Sequence, residues 1–247
     1  MKIVFSRKGF DSSYGGAPSP IVAGRPVSLP IPGSRGERTG YDDLGLAELV
    51  SEATGGRMSG ADRCHDDPMF ADGMCWLGQA GAAQGHLSKQ GVGIGDVFLF
   101  FGLFADPGTG ERHHRIFGCM RVTCHGPPEE VRNQPGWHEP PRPHPHFEGS
   151  WEGSNAIYHG PGRLAASADP FLRLTRPGGP LNRWQVPSWL KGRGLSYHGK
   201  PERWLGRTGL DSVRRGQEFV CDIGKATEPR RWLKEIMAAF HCDMSRF

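Results

Sequence analysis

No apolar run in this chain approaches the length that spans a bilayer, and Met1 to Phe10 carry no apolar signal core. A soluble cytoplasmic protein with no membrane partner is expected. The six cysteines, Cys64, Cys75, Cys119, Cys124, Cys221 and Cys242, contain no CxxC pair. That disfavours a structural zinc site and a disulfide framework, and leaves free buried thiols as the expectation. Also missing are a GxSxG elbow, a GxxxxGKS/T phosphate loop, HExxH and the HxE…PCxxC pattern. Their absence removes the hydrolase-triad, NTPase and zinc-deaminase readings. No cofactor-binding loop is visible, and no cofactor is expected. No internal repeat or linker interrupts the chain, so residues 1–247 are read as a single domain.

What is present is a chain of 247 residues with 13 Phe and 7 Trp, long enough and aromatic enough to bury a core. The 37 Gly and 21 Pro imply many turns and long irregular connections. The net charge is +4, unevenly spread: Phe171 to Lys234 hold 14 Lys+Arg against 5 Asp+Glu. A basic last third is the footprint of a polyanion partner, although dispersed counter-charges on a solvated face would look the same.

Lys2 to Ser6 read as a buried first strand, followed by a Gly/Ser/Pro-rich loop. Helical spacing between Asp43 and Ala53 predicts a short helix ended by Gly55-Gly56. Arg57 to Met74 read as irregular, and Leu77 to Leu87 as a loop leading into a helix. Asp96 to Phe104 (DVFLFFGLF) predicts a strand buried on both faces, with Arg115 to Cys124 returning as its hairpin partner. Gly102 and Gly118 suggest a bulge in that pair. Gly126 to Gly149, rich in Pro and His, read as a long surface loop. Gln217 to Asp222 predict another strand. The last element is a helix with Thr227 as N-cap and Trp232, Leu233, Ile236, Met237 and Phe240 on one face. The sum is α+β: a mostly antiparallel, bent sheet or small barrel with long Gly/Pro-rich loops. About thirty residues around the central hairpin resemble the PUA-like and ASCH-like nucleic-acid-binding barrels.

Eight blocks in chain order carry a wider likeness. They are SRKGFDSSYGGAPSPI (Ser6 to Ile21), LPIP (Leu29 to Pro32), CHDDP (Cys64 to Pro68) and GQAGAAQGHL (Gly78 to Leu87). GDVFLFFGLF (Gly95 to Phe104), HPHF (His144 to Phe147), LSYH (Leu195 to His198) and RGQEFV (Arg215 to Val220) complete them. Together they resemble the nucleotide-modification-associated domain family, third type. The resemblance implies action beside DNA-base hypermodification, in phages or in defence against them, with modified DNA as partner. A further resemblance points to an antiphage glycosylase that removes glucosylated hydroxymethylcytosine. The reaction expected is therefore excision of a hypermodified pyrimidine. The alternatives are a non-cutting reader of modified bases and a base-modifying transferase.

Breaking an N-glycosidic bond needs a carboxylate for the oxocarbenium-like sugar, a donor for the leaving base, a pocket for the flipped base and cations for the phosphates. Asp11, in a Gly-flanked loop beside Arg7 and Lys8, is the first candidate carboxylate; its other role would be to cap its own turn. Lys8 offers an amine for Schiff-base chemistry, or a plain phosphate contact. Glu218 lies on an apolar strand and points either inward, as a site carboxylate, or into a structural ion pair. Arg7, Arg183, Arg214 and Arg215 are assigned to phosphates. Phe10, Gln79, Gln84, His86, Tyr197 and His198 are assigned to the base or sugar pocket. The His65-Asp66-Asp67 turn could take a metal with help from His144 and His146, but solvated turn residues are the preferred reading and no metal is assigned.

Overall fold

The chain is described here by a computed structural model covering residues 1–34, 36–151, 153–214 and 216–240. Its strands are β1 (Lys2–Arg7), β2 (Ile21–Val22), β3 (Arg25–Pro26), β4 (Met69–Ala71), β5 (Met74–Ala80), β6 (Val97–Ala105), β7 (Arg112–Arg121), β8 (Cys124–Gly126), β9 (Asn155–Leu164), β10 (Arg183–Gln185), β11 (Trp204–Leu205), β12 (Gly209–Asp211) and β13 (Glu218–Asp222). Its helices are α1 (Ala47–Thr54), α2 (Gly81–Lys89), α3 (Pro128–Val131), α4 (Pro145–Glu148), α5 (Ser188–Arg193) and α6 (Thr227–Ala239).

The main sheet runs β13-β1-β6-β7-β9-β5-β4, with β8 added on β9. Only β1 and β6 pair in parallel, so the sheet is mixed and otherwise antiparallel. It curls into a half-barrel, the bent α+β sheet expected. A register shift between Phe100 and Phe101 bulges the β6–β7 pair near Gly102 and Gly118, as their positions suggested. Gly102 also has a packing reason: a Cβ there would lie 2.7 Å from the Lys8 carbonyl oxygen, so only glycine lets the Lys8 segment lie against β6.

Strand alternation divides the core in two. Ile3, Phe5, Val97, Leu99 and Phe101 face one side, where they pack with Trp184, Leu210 and the α6 residues Leu233, Ile236 and Met237. Val4, Phe98, Phe100 and Val220 face the concave side with Leu77, Leu87 and Tyr158. Each such side chain contributes about 1.5–3 kcal/mol on burial. The alternation also settles Glu218. It pairs with Ser6 across β1 and shares the concave face with Val220, two residues on.

Several local expectations change. Leu77 to Ala80 belong to β5 rather than to a loop, because Cys75 to Leu77 supply a continuous buried run that the small residues after it obscure. Met69–Ala71 is a strand within the stretch read as irregular; Asp72 (φ 48°) and Gly73 (φ 78°) make the two-residue hairpin turn that joins it to β5. Residues 126–149 are not wholly at the surface, since His144 and His146 are buried. Ala226, not Thr227, is the N-cap of α6, with no side-chain cap bond. Among the described cysteines no disulfide forms: Cys64, Cys75, Cys124 and Cys221 are buried free thiols, Cys119 is buried, and Cys242 lies outside the described residues. No described helix is long and apolar enough to cross a membrane.

Candidate active site

The curl brings β5 across from β13, and the two meet through side chains rather than backbone. Gln79 on β5 donates from Nε2 to Glu218 Oε1 on β13. Ser6 Oγ donates to the same oxygen at 2.9 Å. Lys8, just past the end of β1, places Nζ 4.0 Å from Glu218 Oε1 and 3.2 Å from Asp67 Oδ2. One lysine therefore stands between two carboxylates whose side chains are 1% and 2% exposed. Glu218 Oε2 is buried with no hydrogen-bond partner among the described residues.

This cluster lies at the base of a cavity of about 720 Å³. That volume is within the range that takes a drug-sized ligand, roughly 300–1,000 Å³. Lys8, Asp67 and Gln79 line it, and Glu218 sits behind Lys8 and Gln79. Arg7, Arg38 and Arg214 stand on its walls and supply positive charge. Trp151 and Tyr14 add aromatic surface.

Burial and charge pull the two carboxylates apart. Burial alone would raise Asp67, but the Lys8 ammonium, helped by His144 and His146, holds its carboxyl far below the usual range. Glu218 is pushed up to about 7 by burial, which Lys8 and Ser6 only partly offset and which the Asp67 charge reinforces. Burial lowers the Arg7 guanidinium, with nearby Asp11 acting in the opposite sense.

Three histidines crowd the same carboxylate. His144 Nε2 faces Asp67 Oδ1 at 3.4 Å without closing an aligned hydrogen bond, while its Nδ1 accepts the His146 amide. The Gly78 amide donates to Asp67 Oδ1 at 2.7 Å. His146 is clamped between the β5 backbone and the Trp151 ring, stacked 4.0 Å away. A Cβ on Gly78 would lie 2.0 Å from His146 Cγ, so glycine is required there for the imidazole to fit. Burial lowers His146 to about 4, which leaves a neutral ring near pH 7. His65 lies edge-on to His146, with Nε2 3.9 Å from Asp67 Oδ2. The solvated-turn reading of His65-Asp66-Asp67 is thus corrected. Asp66 and Asp67 are buried, Asp66 against Arg142 at 2.8 Å and Asp67 against Lys8. The partners come from distant segments, and spacing along the chain could not show them.

Of the other candidates, Asp11 lines the cavity, and its Oδ1 accepts the Ser13 and Tyr14 amides in a local turn. Arg7 and Arg214 line the cavity and are joined, Arg7 Nη1 donating to the Arg214 carbonyl. Arg215 lies outside the described residues. Arg183 is on β10 and Phe10 is buried in a separate cluster against Tyr41; neither lines the cavity. Gln84 bonds Tyr158 and Ser88, and His86 bonds Ser196 and packs on the exposed Tyr197. His198 is fully buried and bonds Ser196, Ser212 and the Val213 amide. These four also lie off the cavity. Asp67, His144 and His146 were weighed from the sequence only as metal ligands and left unassigned, and Gly78 was not singled out. The signals available were the HPH run, the buried-strand pattern of β5 and a glycine inside it.

The profile of nucleotide modification associated domain 3 matches residues 2–222. The chain belongs to that family. No curated protein and no solved structure matches it. The matched span takes in every cavity-lining residue named above, and Glu218 behind them, so the buried charge cluster lies wholly within the family domain.

Proposed function

We propose that this nucleotide-modification-associated domain excises a bulky, hypermodified pyrimidine, such as glucosylated hydroxymethylcytosine, from DNA. The observation that carries the reading is the Lys8 amine, held between Asp67 and Glu218 on the wall of a cavity with arginines around it. A flipped nucleotide enters that cavity while Arg7 and Arg214 meet the flanking phosphates. The cavity has room for a sugar-bearing base.

In the chemical step Lys8 gives a proton to Glu218, and its nitrogen lone pair forms a bond to the deoxyribose C1′. The C1′–N bond breaks, and its electron pair leaves with the pyrimidine, which takes up the proton held by Glu218. Asp67 stays ionised and stabilises the positive charge that develops on the sugar. The C1′–O4′ bond then opens as one proton of the new ammonium passes to O4′, giving a Schiff base, which water hydrolyses to free Lys8 and leave an abasic site. This route gives Lys8 the catalytic role that the sequence offered first to Asp11.

The test is to incubate the protein with plain, hydroxymethylated and glucosylated DNA and to assay released base and alkali-labile sites. Release from glucosylated DNA alone supports the reading; intact DNA in all three sinks it. A second reading rests on the same ion cluster. Lys8 paired on both sides is also what a structural ion network looks like, and a non-cutting reader would then bind modified DNA with salt-sensitive affinity and release nothing.

A further inference from the structure

Three side chains converge in the cavity: His65, Asp67 and His146. One ligand atom from each of these residues lies within 4.8 Å of the others. What decides their chemistry is where the protons are. His65 Nδ1 is 2.8 Å from Glu37 Oε1, so Nδ1 is the donor nitrogen and Nε2 is the one left for a metal. Asn155 Nδ2 donates to the His146 carbonyl, which leaves its Oδ1 to accept from His146 Nδ1 at 2.7 Å. His146 Nε2 therefore carries a lone pair. Asp67 is fixed through its other oxygen, which takes the Gly78 amide and faces His144. Two imidazoles and a carboxylate thus meet in one place, and the Lys8 ammonium lies 3.2 Å from Asp67 Oδ2.

We propose that His65, Asp67 and His146 bind a divalent transition-metal ion of the zinc–iron–cobalt class, with open coordination positions turned into the cavity. Imidazole nitrogen with a single carboxylate suits these ions rather than Mg²⁺ or Ca²⁺, which prefer all-oxygen shells. Three protein ligands are the number found in sites that keep a position for water or substrate. Glu37 and Asn155 are positioning residues: each accepts the outer ring N–H of a ligating histidine and so fixes Nε2 as the ligand atom. The 3.9 Å gap between His65 Nε2 and Asp67 Oδ2, and the 4.8 Å within which all three ligand atoms lie, exceed the edge of about 3.4 Å in a tetrahedral site with bonds of 2.0–2.1 Å, so the side chains draw together when the ion binds. Glu218 Oε1, 4.0 Å from Lys8 Nζ, gives the lysine a second partner when the metal takes its place on Asp67. The inference goes beyond the proposed reaction and stands without it.

The experiment strips the full chain with chelator, adds Zn²⁺, Co²⁺ or Mg²⁺ separately, and reads metal per chain after gel filtration together with the Co²⁺ visible spectrum. One Zn²⁺ or Co²⁺ per chain, with Mg²⁺ not retained, is expected. His65→Ala and His146→Ala should each weaken affinity more than hundredfold. Glu37→Gln and Asn155→Ala should weaken it about 10–100-fold, with circular dichroism confirming that each variant is folded. His65 is partly exposed, so its variant stands in if His146→Ala does not fold. Wild-type protein that retains no stoichiometric metal overturns the proposal. So does unchanged affinity in His65→Ala, or a thiolate charge-transfer band placing the Co²⁺ on cysteine. None of these readouts uses DNA, so failure here and failure of the excision reading are told apart.

Discussion

Two polar clusters flank β13, and they handle burial in opposite ways. On one side, His86, Ser196, Tyr197 and His198 form a neutral network. His198 Nδ1 lies 2.8 Å from the Ser196 carbonyl, the Val213 amide donates to His198 Nε2 at 3.1 Å, and Ser196 Oγ takes the Val220 amide at 2.8 Å. On the other side, Lys8 stands between two buried carboxylates, and Glu218 Oε2 has no hydrogen-bond partner among the described residues. The first cluster is arranged to satisfy backbone and ring nitrogens. The second leaves charge and hydrogen-bonding capacity unspent beside an open cavity. Both contain residue types that chemistry uses. The difference is the reason for placing the proposed site at the second cluster: unreconciled burial, more than residue type, distinguishes it.

The largest effect that sharpens this contrast is on stability. Lys8→Gln leaves Asp67 and Glu218 buried without their cation, and should cost about 3–5 kcal/mol by urea unfolding at pH 8. A loss under about 1 kcal/mol would make the two clusters alike. Next comes Gly78→Ala, which drives a methyl group into His146 and should cost roughly 1–3 kcal/mol. Gly85→Ala on α2, where a Cβ meets nothing within 4 Å, should instead gain about 0.5–1 kcal/mol. Equal effects on the melting temperature would remove the special role of Gly78.

The third prediction concerns pH. Glu218 is raised from its ordinary 4.5 to about 7 in the folded chain. The folded state therefore holds a proton that the unfolded state has lost, and stability falls as pH rises through that window. Wild type should lose stability between about pH 4.5 and 7, and Glu218→Gln should lack that component of the slope. Parallel stability curves for the two would contradict the assigned burial of charge. The smallest effect belongs to the other cluster. Tyr197 is exposed and sits at φ 64°, so Tyr197→Gly should change stability by no more than about 0.5 kcal/mol and leave DNA processing unaltered.

The sheet was legible in the sequence where strands carry unbroken apolar runs, as in β1, β6 and β13. The bulge near Gly102 and the stop at Gly55-Gly56 were legible for the same local reasons. Lys8, Glu218 and Gln79 could be singled out one by one, because a charge or amide at a strand end is visible along the chain. Their meeting was not, since Gln79 and Glu218 touch only when the sheet curls. The HPH segment and the CHDDP turn were misread for a related reason. Each looks like solvated loop until the other buries it, and the pairing of Asp67 with His144 and His146 leaves no periodic trace.

The most direct test of the central claim, that Lys8 is the reacting group of this cavity, is borohydride trapping on glucosylated hydroxymethylcytosine DNA. The account predicts a covalent protein–DNA adduct with wild type and with Asp11→Asn. It predicts none with Lys8→Arg, which keeps the cation but has no amine able to form a Schiff base. Base release by Lys8→Arg at the wild-type rate, or an adduct that persists in that variant, would contradict it.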